Sequence, residues 1–363
     1  MINLEVNGIE YTNFVSARCD IRLDALSNTF SFEAVTPKGE KLPFKGGDSC
    51  SVIVDGELAL TGSIEVIGVD YDAQDHTIMV SGRDKTGDLL DSSIDVISDI
   101  SGDNLTLKLL IEKVIAHLGL GIKVIDEVSP EPFNSAEDIA APEPGDNAFR
   151  FIEKYARKRQ VLLTSNADGN IVITANSGTV AAGAVQHVIG ALDNNVLSAS
   201  FSFDTTGRFN SYKMSSSLNP TPLNLAGLTA LASLVNQGGG VLDSAIRKGR
   251  QMVLVSETSL SDKDCEKRAK WEADIRKARG LMYSATVPGF RVGDTRGGDL
   301  WAVNKLYQIV DDYVGKIETM LCNSISFNYD ADDGSTTALG FVGKNAYTLF
   351  VQDKDSKVAD NVA

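Results

Sequence analysis

The alternation of apolar and polar residues in Ala17-Arg18-Cys19-Asp20-Ile21-Arg22-Leu23-Asp24 has the period of a half-buried β-strand. A turn over residues 24–28 leads into a second strand, Thr29 to Val35. Past Gly46-Gly47-Asp48, residues 51–60 read as a hairpin around Asp55-Gly56, because an Asp-Gly step accepts the left-handed backbone of a tight turn. Ser63 to Tyr71 and Thr77 to Ser81 make another pair. Five or six short antiparallel strands at this spacing predict a small barrel or closed sandwich.

Near residue 95 the apolar period lengthens to that of a helix. Leu105, Leu109, Ile111, Val114, Ile115 and Leu118 suit one buried face, with Asn104 as N-cap and Gly119 as stop. A connector with Pro130, Pro132, Pro142 and Pro144 follows, and Asp146 then caps a second helix bearing Phe149, Ile152, Tyr155 and Ala156. Val161 to Ser165 and Asn170 to Thr174 flank an Asn-Ala-Asp-Gly turn, which completes a compact α+β unit. Alternation returns at Val196 to Phe203. Residues 216–250, with Pro220, Pro222 and Gly238-Gly239-Gly240, read as a long loop or arm. A helix between Asp262 and Arg279 carries Ala269, Ala273 and Ile275 at helical spacing; strands resume at Leu281 and run to about Val342, and the polar tail beyond Gln352 reads as loose.

The pattern predicts an α+β chain that is mainly β: two related small β-barrels, an inserted helix-plus-hairpin unit and a helical arm. The corresponding divisions are a first barrel over 1–95, the α+β unit over 96–195 and a second barrel over 196–215 and 281–345. An insertion of loop and basic helix spans 216–280, and a tail spans 346–363. The last β region echoes the first. Val52-Ile53-Val54-Asp55 is matched by Gln308-Ile309-Val310-Asp311, and Ile67-Gly68-Val69-Asp70-Tyr71-Asp72-Ala73 by Ile325-Ser326-Phe327-Asn328-Tyr329-Asp330-Ala331. Both copies then pass through a polar turn, a short strand, a Gly and a Lys (Gly82 and Lys85; Gly343 and Lys344). Two similar barrels per chain let three chains form a ring of six nearly equivalent units, the geometry of an adapter between six-fold and three-fold partners.

The chain has 363 residues, a length that fits two to three domains. With 43% hydrophobic residues it has material for ordinary cores. Its 34 basic and 49 acidic residues give a net charge of −15, which argues against a protein that grips nucleic acid phosphates. No run of 18 apolar residues is present, so no membrane span is expected. The N-terminus lacks the basic start and apolar core of a signal peptide, so the product is expected to stay in the cytoplasm or leave by another route. The four cysteines (Cys19, Cys50, Cys265, Cys322) are scattered with no Cys-x-x-Cys pair, and the histidines are limited to His76, His117 and His187. His117, just before Gly119, fits a capping or surface role. No metal, cofactor or catalytic set is expected.

Two motifs look like chemistry and are read otherwise. Gly82 to Leu89 spaces two glycines like a phosphate loop, but Asp88 and Leu89 stand where Lys-Ser/Thr would be needed, and a carboxylate repels phosphate. Asp330-Ala331-Asp332-Asp333-Gly334 hints at a calcium loop, yet Phe341 occupies the position of the closing Glu, so a hairpin turn is expected. The basic helix (Lys263, Lys267, Arg268, Lys270, Arg276, Lys277, Arg279) reads either as a solvated face paired with Glu266, Glu272 and Asp274, or as a contact with an acidic neighbour. Leu223 to Val235 is apolar for a loop and suits a covered groove or an interface.

Three segments carry a resemblance to a known family. Ser81-Gly82-Arg83-Asp84-Lys85-Thr86-Gly87-Asp88-Leu89-Leu90-Asp91, Leu162 to Gly169, and Ser284-Ala285-Thr286-Val287-Pro288-Gly289-Phe290 with Leu300-Trp301 resemble, in order, the baseplate hub proteins of Mu-like contractile-tailed phages and prophages. This is a tail hub family shared with the T4 baseplate hub, and the resemblance spans roughly residues 4–345, weakest over 216–250. It implies a structural virion component, a homotrimer with two tube-type β-barrels per chain, assembled in the host cytoplasm and located in the tail baseplate. Such hubs join the hexameric tail tube protein to the trimeric central spike protein, contact other baseplate proteins, and surround a channel that DNA passes without specific binding. The candidate subunit or partner contacts are Arg83, Asp84, Asp88, Asp91, Arg268, Lys270 and Trp271. Two other readings stay open: a tail-associated peptidoglycan hydrolase using an acidic pair, and a receptor- or sugar-binding tail module using an exposed aromatic platform, for which Trp271 and Trp301 are the available tryptophans.

Overall fold

Residues 2–84 form seven strands: β1 (Ile2–Val6), β2 (Ile9–Tyr11), β3 (Ser16–Arg22), β4 (Thr29–Val35), β5 (Ser49–Val54), β6 (Glu57–Tyr71) and β7 (His76–Asp84). The computed structural model describes the chain except for residues 36–43, 73–75, 98–99, 101–103, 134–140, 218–234, 238–240, 256–261, 295–297 and 348–363. Asp55 and Gly56 take left-handed backbone (φ 50° and 85°), which closes the expected two-residue turn between β5 and β6. What reads in sequence as two strands, 57–60 and 63–71, is a single 15-residue strand.

The inserted unit follows: α1 (Gly87–Asp91), α2 (Leu107–Leu118), β8 (Val124–Asp126), α3 (Ala148–Lys158), β9 (Leu162–Ser165) and β10 (Ile171–Thr174). Its helix caps sit slightly downstream of expectation. Asn104 is left-handed (φ 65°) and Thr106 caps α2, its side chain accepting from the Leu109 N–H. Likewise Asn147, rather than Asp146, caps α3 through the Arg150 N–H. Gly119 stops α2 in the left-handed conformation, as expected. Leu89, Leu107, Ile111, Val114, Ile152, Tyr155 and Ile173 bury one apolar core, which Leu26 joins from outside the unit.

The rest of the chain adds β11 (Val180–His187), β12 (Ser198–Phe203), β13 (Ser211–Ser217), β14 (Val235–Gln237), β15 (Val241–Leu242), β16 (Gln251–Val255), α4 (Asp262–Arg279), β17 (Leu281–Pro288), β18 (Leu306–Asp311), β19 (Lys316–Asp330) and β20 (Gly334–Gly343). β11 pairs with β18, so the second β module starts upstream of residue 196. β13 to β16 form a separate sheet on which α4 packs, so the basic helix is docked rather than a projecting arm. Of the apolar stretch 223–235, all but Val235 lies outside the described residues, as does the tail from 348. The acidic run at 330–334 is the β19–β20 hairpin, with the Asp330 carboxylate accepting from the Asp332 and Asp333 N–H groups.

The two modules have the same strand order. The first runs β3-β4-β7-β6-β5-β1 and the second β12-β17-β20-β19-β18-β11. The long strands are both 15 residues, and each is bulged at the same place, leaving Glu65 and Asn323 as the extra residues. Placing Glu65 on Asn323 brings the flanking ladders into coincidence: Ile64↔Gly82 falls on Cys322↔Phe341, and Val66↔Ser81 on Ser324↔Gly340.

The expected pair of closed barrels requires correction. Among the described residues the ladders run open from β12 to β2, through a β19–β3 junction that fuses both modules into one 13-stranded sheet. The reason lies in strand length: β19 is too long for β18 alone. β18 pairs with Lys316–Leu321, and β3 takes the remaining edge, Ser324–Asp330. The two modules therefore share one core, in which Cys19, Phe30, Ile64 and Val80 meet Tyr283, Ile325, Phe327 and Phe341. Phe327 is 1% exposed and meets Phe290 edge-on at 5.8 Å. Phe327→Ala should cost about 3–5 kcal/mol in a denaturant titration, and one cooperative transition should report the loss from both modules.

Candidate assembly interfaces

The segment from Arg83 to Asp91 divides into a buried half and an exposed half. Asp84, at the end of β7, is 3% exposed. Its carboxylate accepts from the Ser27 hydroxyl (2.8 Å), the Asn28 N–H (2.9 Å), the Thr86 N–H (3.1 Å) and hydroxyl (2.6 Å), and the Ser165 hydroxyl. Asp84 thus knots the 26–28 turn, the start of α1 and β9, and it is not available as a surface contact. Gly169, at φ 74°, lets the β9–β10 turn approach the same joint; a Cβ there would sit 2.6 Å from the Thr61 carbonyl oxygen. Arg83 points the other way. Its guanidinium donates to both Glu65 oxygens at 2.9 Å and to Asp91, while Asp88 is exposed in the first turn of α1. Asp91 is held below the usual carboxylate range by its hydrogen bond from Arg83. Arg83 and Asp91 therefore share a surface patch with Glu65 at the bulge of β6, and Asp88 is exposed on the same short helix as Asp91.

The second predicted group is on α4, away from that patch. One stripe of this helix (Cys265, Ala269, Ala273) packs on Tyr212 and Met214, and another (Trp271, Ile275, Ala278) on Leu23, Leu321, Val342 and Tyr347. Arg268 stacks 4.2 Å over the Trp271 ring and donates to the Arg157 carbonyl at 2.8 Å. Arg276 pairs with Glu272 at 2.8 Å, and Arg279 lies 3.8 Å from Asp24. The three arginines are thus engaged within the chain: Arg268 and Arg276 reach Glu272 as a solvated face would have it, but the helix is packed on two stripes and Arg279 reaches off it to Asp24. Arg268 and Trp271 also line a cleft of about 630 Å³ between α4 and the inserted unit. Lys270 is exposed; burial pushes the Asp274 carboxyl up, and the Lys270 and Lys277 charges pull it part of the way back.

Exposed β-edges are expected interfaces from sequence too, but sequence does not say which strands form them. β12 ends the 13-stranded sheet, and the far half of β6 runs past the end of β5. Both carry exposed apolar side chains: Phe203 is 60%, Val66 59% and Tyr71 75% exposed. Alternation marked these segments as strands, but it does not say which strands lack a neighbour.

A further polar cluster lies inside the second module. Tyr283 donates to Asp311 at 2.8 Å, with His187 Nδ1 3.5 Å from the same carboxylate. Burial raises the Asp311 pKa, but hydrogen bonds from Tyr283, the Val314 and Tyr313 N–H groups and His187 outweigh it and hold the group below its ordinary value. All four cysteines are buried and reduced, and burial pushes the Cys50 thiol up to about 12. Both tryptophans are buried, so neither offers a stacking platform. Among the described residues no group of three or more His, Cys, Asp or Glu side chains is placed to hold a metal, and no helix is long and apolar enough to cross a membrane.

Asp84→Ala should cost about 2–6 kcal/mol in urea unfolding, since it strands two buried N–H groups at about 1–3 kcal/mol each. Asp91→Ala, at the exposed end of the same segment, should cost under about 1 kcal/mol. Because the folded-state pKa of Asp311 is depressed, its contribution is complete above the unfolded carboxylate pKa of about 3.9 and is lost as pH falls through the lower folded value. Asp311→Asn should therefore flatten the fall of unfolding free energy below about pH 4.

Comparison with known proteins matches three stretches, in order along the chain, to hub-family models. Residues 1–84 match the N-terminal domain of the Mu phage baseplate assembly protein GpP-like family, 86–175 the second domain of the gp44-like baseplate hub proteins, and 261–349 the fourth domain of the Mu phage baseplate assembly protein GpP. The baseplate hub protein gp44 of Escherichia phage Mu is 24% identical over 364 residues, covering 99% of this chain and 93% of that protein. The crystal structure of the 43 kDa tail protein of prophage MuSo2 from Shewanella oneidensis superposes with a TM-score of 0.78 at 30% identity, covering 96% of this chain and 99% of that one. A tail protein of Neisseria meningitidis MC58 shares the fold, with a TM-score of 0.78 at 19% identity over 95% and 97% of the two chains. The three family segments and a 30%-identical tail protein matched end to end show that this chain belongs to the Mu-like phage baseplate hub family.

Proposed function

We propose that this chain is the trimeric adapter of a contractile tail baseplate, joining the hexameric tail tube to the trimeric central spike and surrounding the channel through which DNA leaves. The observation that carries this reading is the duplication. Each chain holds two sheet modules with one strand order, equal long strands and coincident bulges. Three chains then supply six similar modules, a surface that a six-fold tube can meet, while the chain as a whole keeps three-fold symmetry for the spike. The work is done by shape and packing, without turnover. A net charge of −15 suits a wall that passing DNA does not adhere to, since a neutralising basic surface would hold the phosphates. The exposed patch around Arg83, Asp88 and Asp91, together with Lys270, is offered to subunits or other baseplate proteins. Native mass measurement of the chain, alone and with the spike protein of its own tail, should find three copies per complex. Two, four or six copies in both conditions would contradict the adapter.

A further inference from the structure

The duplication reaches beyond strand order to the partner each module seeks. In the first module β3 lies outside β4, with Ala17↔Phe32 and Cys19↔Phe30; in the second β12 lies outside β17, with Ala199↔Ala285 and Phe201↔Tyr283. Carried through the shared ladders, Ala199 takes the place of Ala17, Phe201 of Cys19 and Phe203 of Ile21. Even an irregular bond is repeated: Val15 N–H donates to the Glu33 carbonyl at 2.8 Å, and Leu197 N–H to the Thr286 carbonyl at 2.8 Å.

These equivalent strands differ in one respect. β3 has an outer partner, the far half of β19, through Ala17↔Tyr329, Cys19↔Phe327 and Ile21↔Ile325. That junction buries Ala17, Cys19, Ile325 and Phe327. The counterpart of the far half of β19 is the far half of β6, where Ile67, Val69 and Tyr71 occupy the places of Ile325, Phe327 and Tyr329. Among the described residues neither counterpart edge carries a strand. β12 pairs with β17 on one side only, and β6 pairs with β5 only as far as Ser63. Where the internal junction is buried, Val69, Tyr71 and Phe203 are exposed. An uncovered edge with an apolar row is the hazard that proteins ordinarily blunt with charge or proline, and β12, Ser-Ala-Ser-Phe-Ser-Phe, has neither.

We propose that β12 of one copy pairs antiparallel with the far half of β6 of a second copy, in the register Ala199↔Tyr71, Phe201↔Val69 and Phe203↔Ile67, repeating between chains the junction that β3 and β19 make within one. The apolar residues face each other on the core side; on the other side Ser200 and Ser202 meet Asp70 and Gly68, with no like charges opposed. The contact is head-to-tail, so it closes into a ring once the rotation per chain closes. The inference rests on the three-copy reading above, and supplies the bond that holds it together.

The register can be tested with a disulfide. Leu23 N–H donates to the Asn323 carbonyl and Ala331 N–H to the Val15 carbonyl, both at 2.9 Å, so the alternation makes Arg18↔Asn328 a non-hydrogen-bonded pair. Such pairs have Cα atoms about 4.5 Å apart, within disulfide reach. The corresponding intermolecular pair is Ser200 with Asp70, both exposed, and the native cysteines are buried. Under mild oxidation the Ser200→Cys/Asp70→Cys chain should run as a covalent three-chain band on a non-reducing gel, whereas Ser202→Cys/Asp70→Cys, slipped by two residues, should give little. Ala199→Pro removes an outward-facing N–H that no described strand uses, so it should abolish the three-copy species while the single chain keeps its unfolding temperature. Three copies by native mass with no preferred cross-link at Ser200/Asp70, or three copies surviving Ala199→Pro, would overturn the pairing and leave the trimer standing. Absence of three copies in every condition would overturn both.

Discussion

A β-strand edge is a row of backbone donors and acceptors that must be paired or wetted, and this molecule is organised around where its edges go. The pivotal case is β19. Its 15 residues outrun β18, and the exposed remainder is closed by β3 from the other end of the chain. That single junction turns two modules into one sheet with one core, and puts Phe327 at the centre of both. The first module contains the same overlong strand, β6, and nothing described within the chain closes it. A chain built this way is complete as a fold and incomplete as a sheet.

The inserted unit and the helix α4 are both anchored to that sheet. Asp84 ties the end of β7 to the 26–28 turn, to β9 and to Thr86 before α1 through five hydrogen bonds, a buried carboxylate met by donors rather than by a counter-ion. On the other side α4 wedges between the small sheet and the second module, with Cys265 and Ala269 against Tyr212 and Ile275 and Ala278 against Leu321 and Val342. Its arginines then close on Glu272, Asp24 and the Arg157 carbonyl.

Much of this was legible because it is local. The Asp55-Gly56 turn, the Gly119 stop, the β9–β10 hairpin and the echo of 67–72 in 325–330 all follow from short-range rules, and the structure has each of them, whereas the earlier part of the echo is off by one residue, since the ladders place Val52 on Ile309 rather than on Gln308. What sequence missed is non-local. β11, Val-Ala-Ala-Gly-Ala-Val-Gln-His, has no clean alternation and becomes a strand only by lying parallel to β18. Closed barrels were expected because period-2 alternation reports which face is buried and says nothing about which strand lies alongside. Asp84 was read as surface for a similar reason: sequence shows a charge, while its burial comes from Ser27, Asn28 and Ser165 converging on it. The long strands were visible in pieces, and only their continuity through the bulges at Glu65 and Asn323 reveals that the modules coincide.

Two modules of one strand order per chain would give a closed ring of three chains six similar positions. The most direct test is an electron cryomicroscopy map of the assembled hub. Three chains are expected around one axis, with the first module (β1 and β3–β7) and the second (β11, β12 and β17–β20) of every chain alternating at equal angles, and continuous strand density from β12 of each chain into β6 of the next. A map in which the two modules sit at different radii, or in which the sheet breaks between neighbouring chains while staying whole inside each, would contradict it.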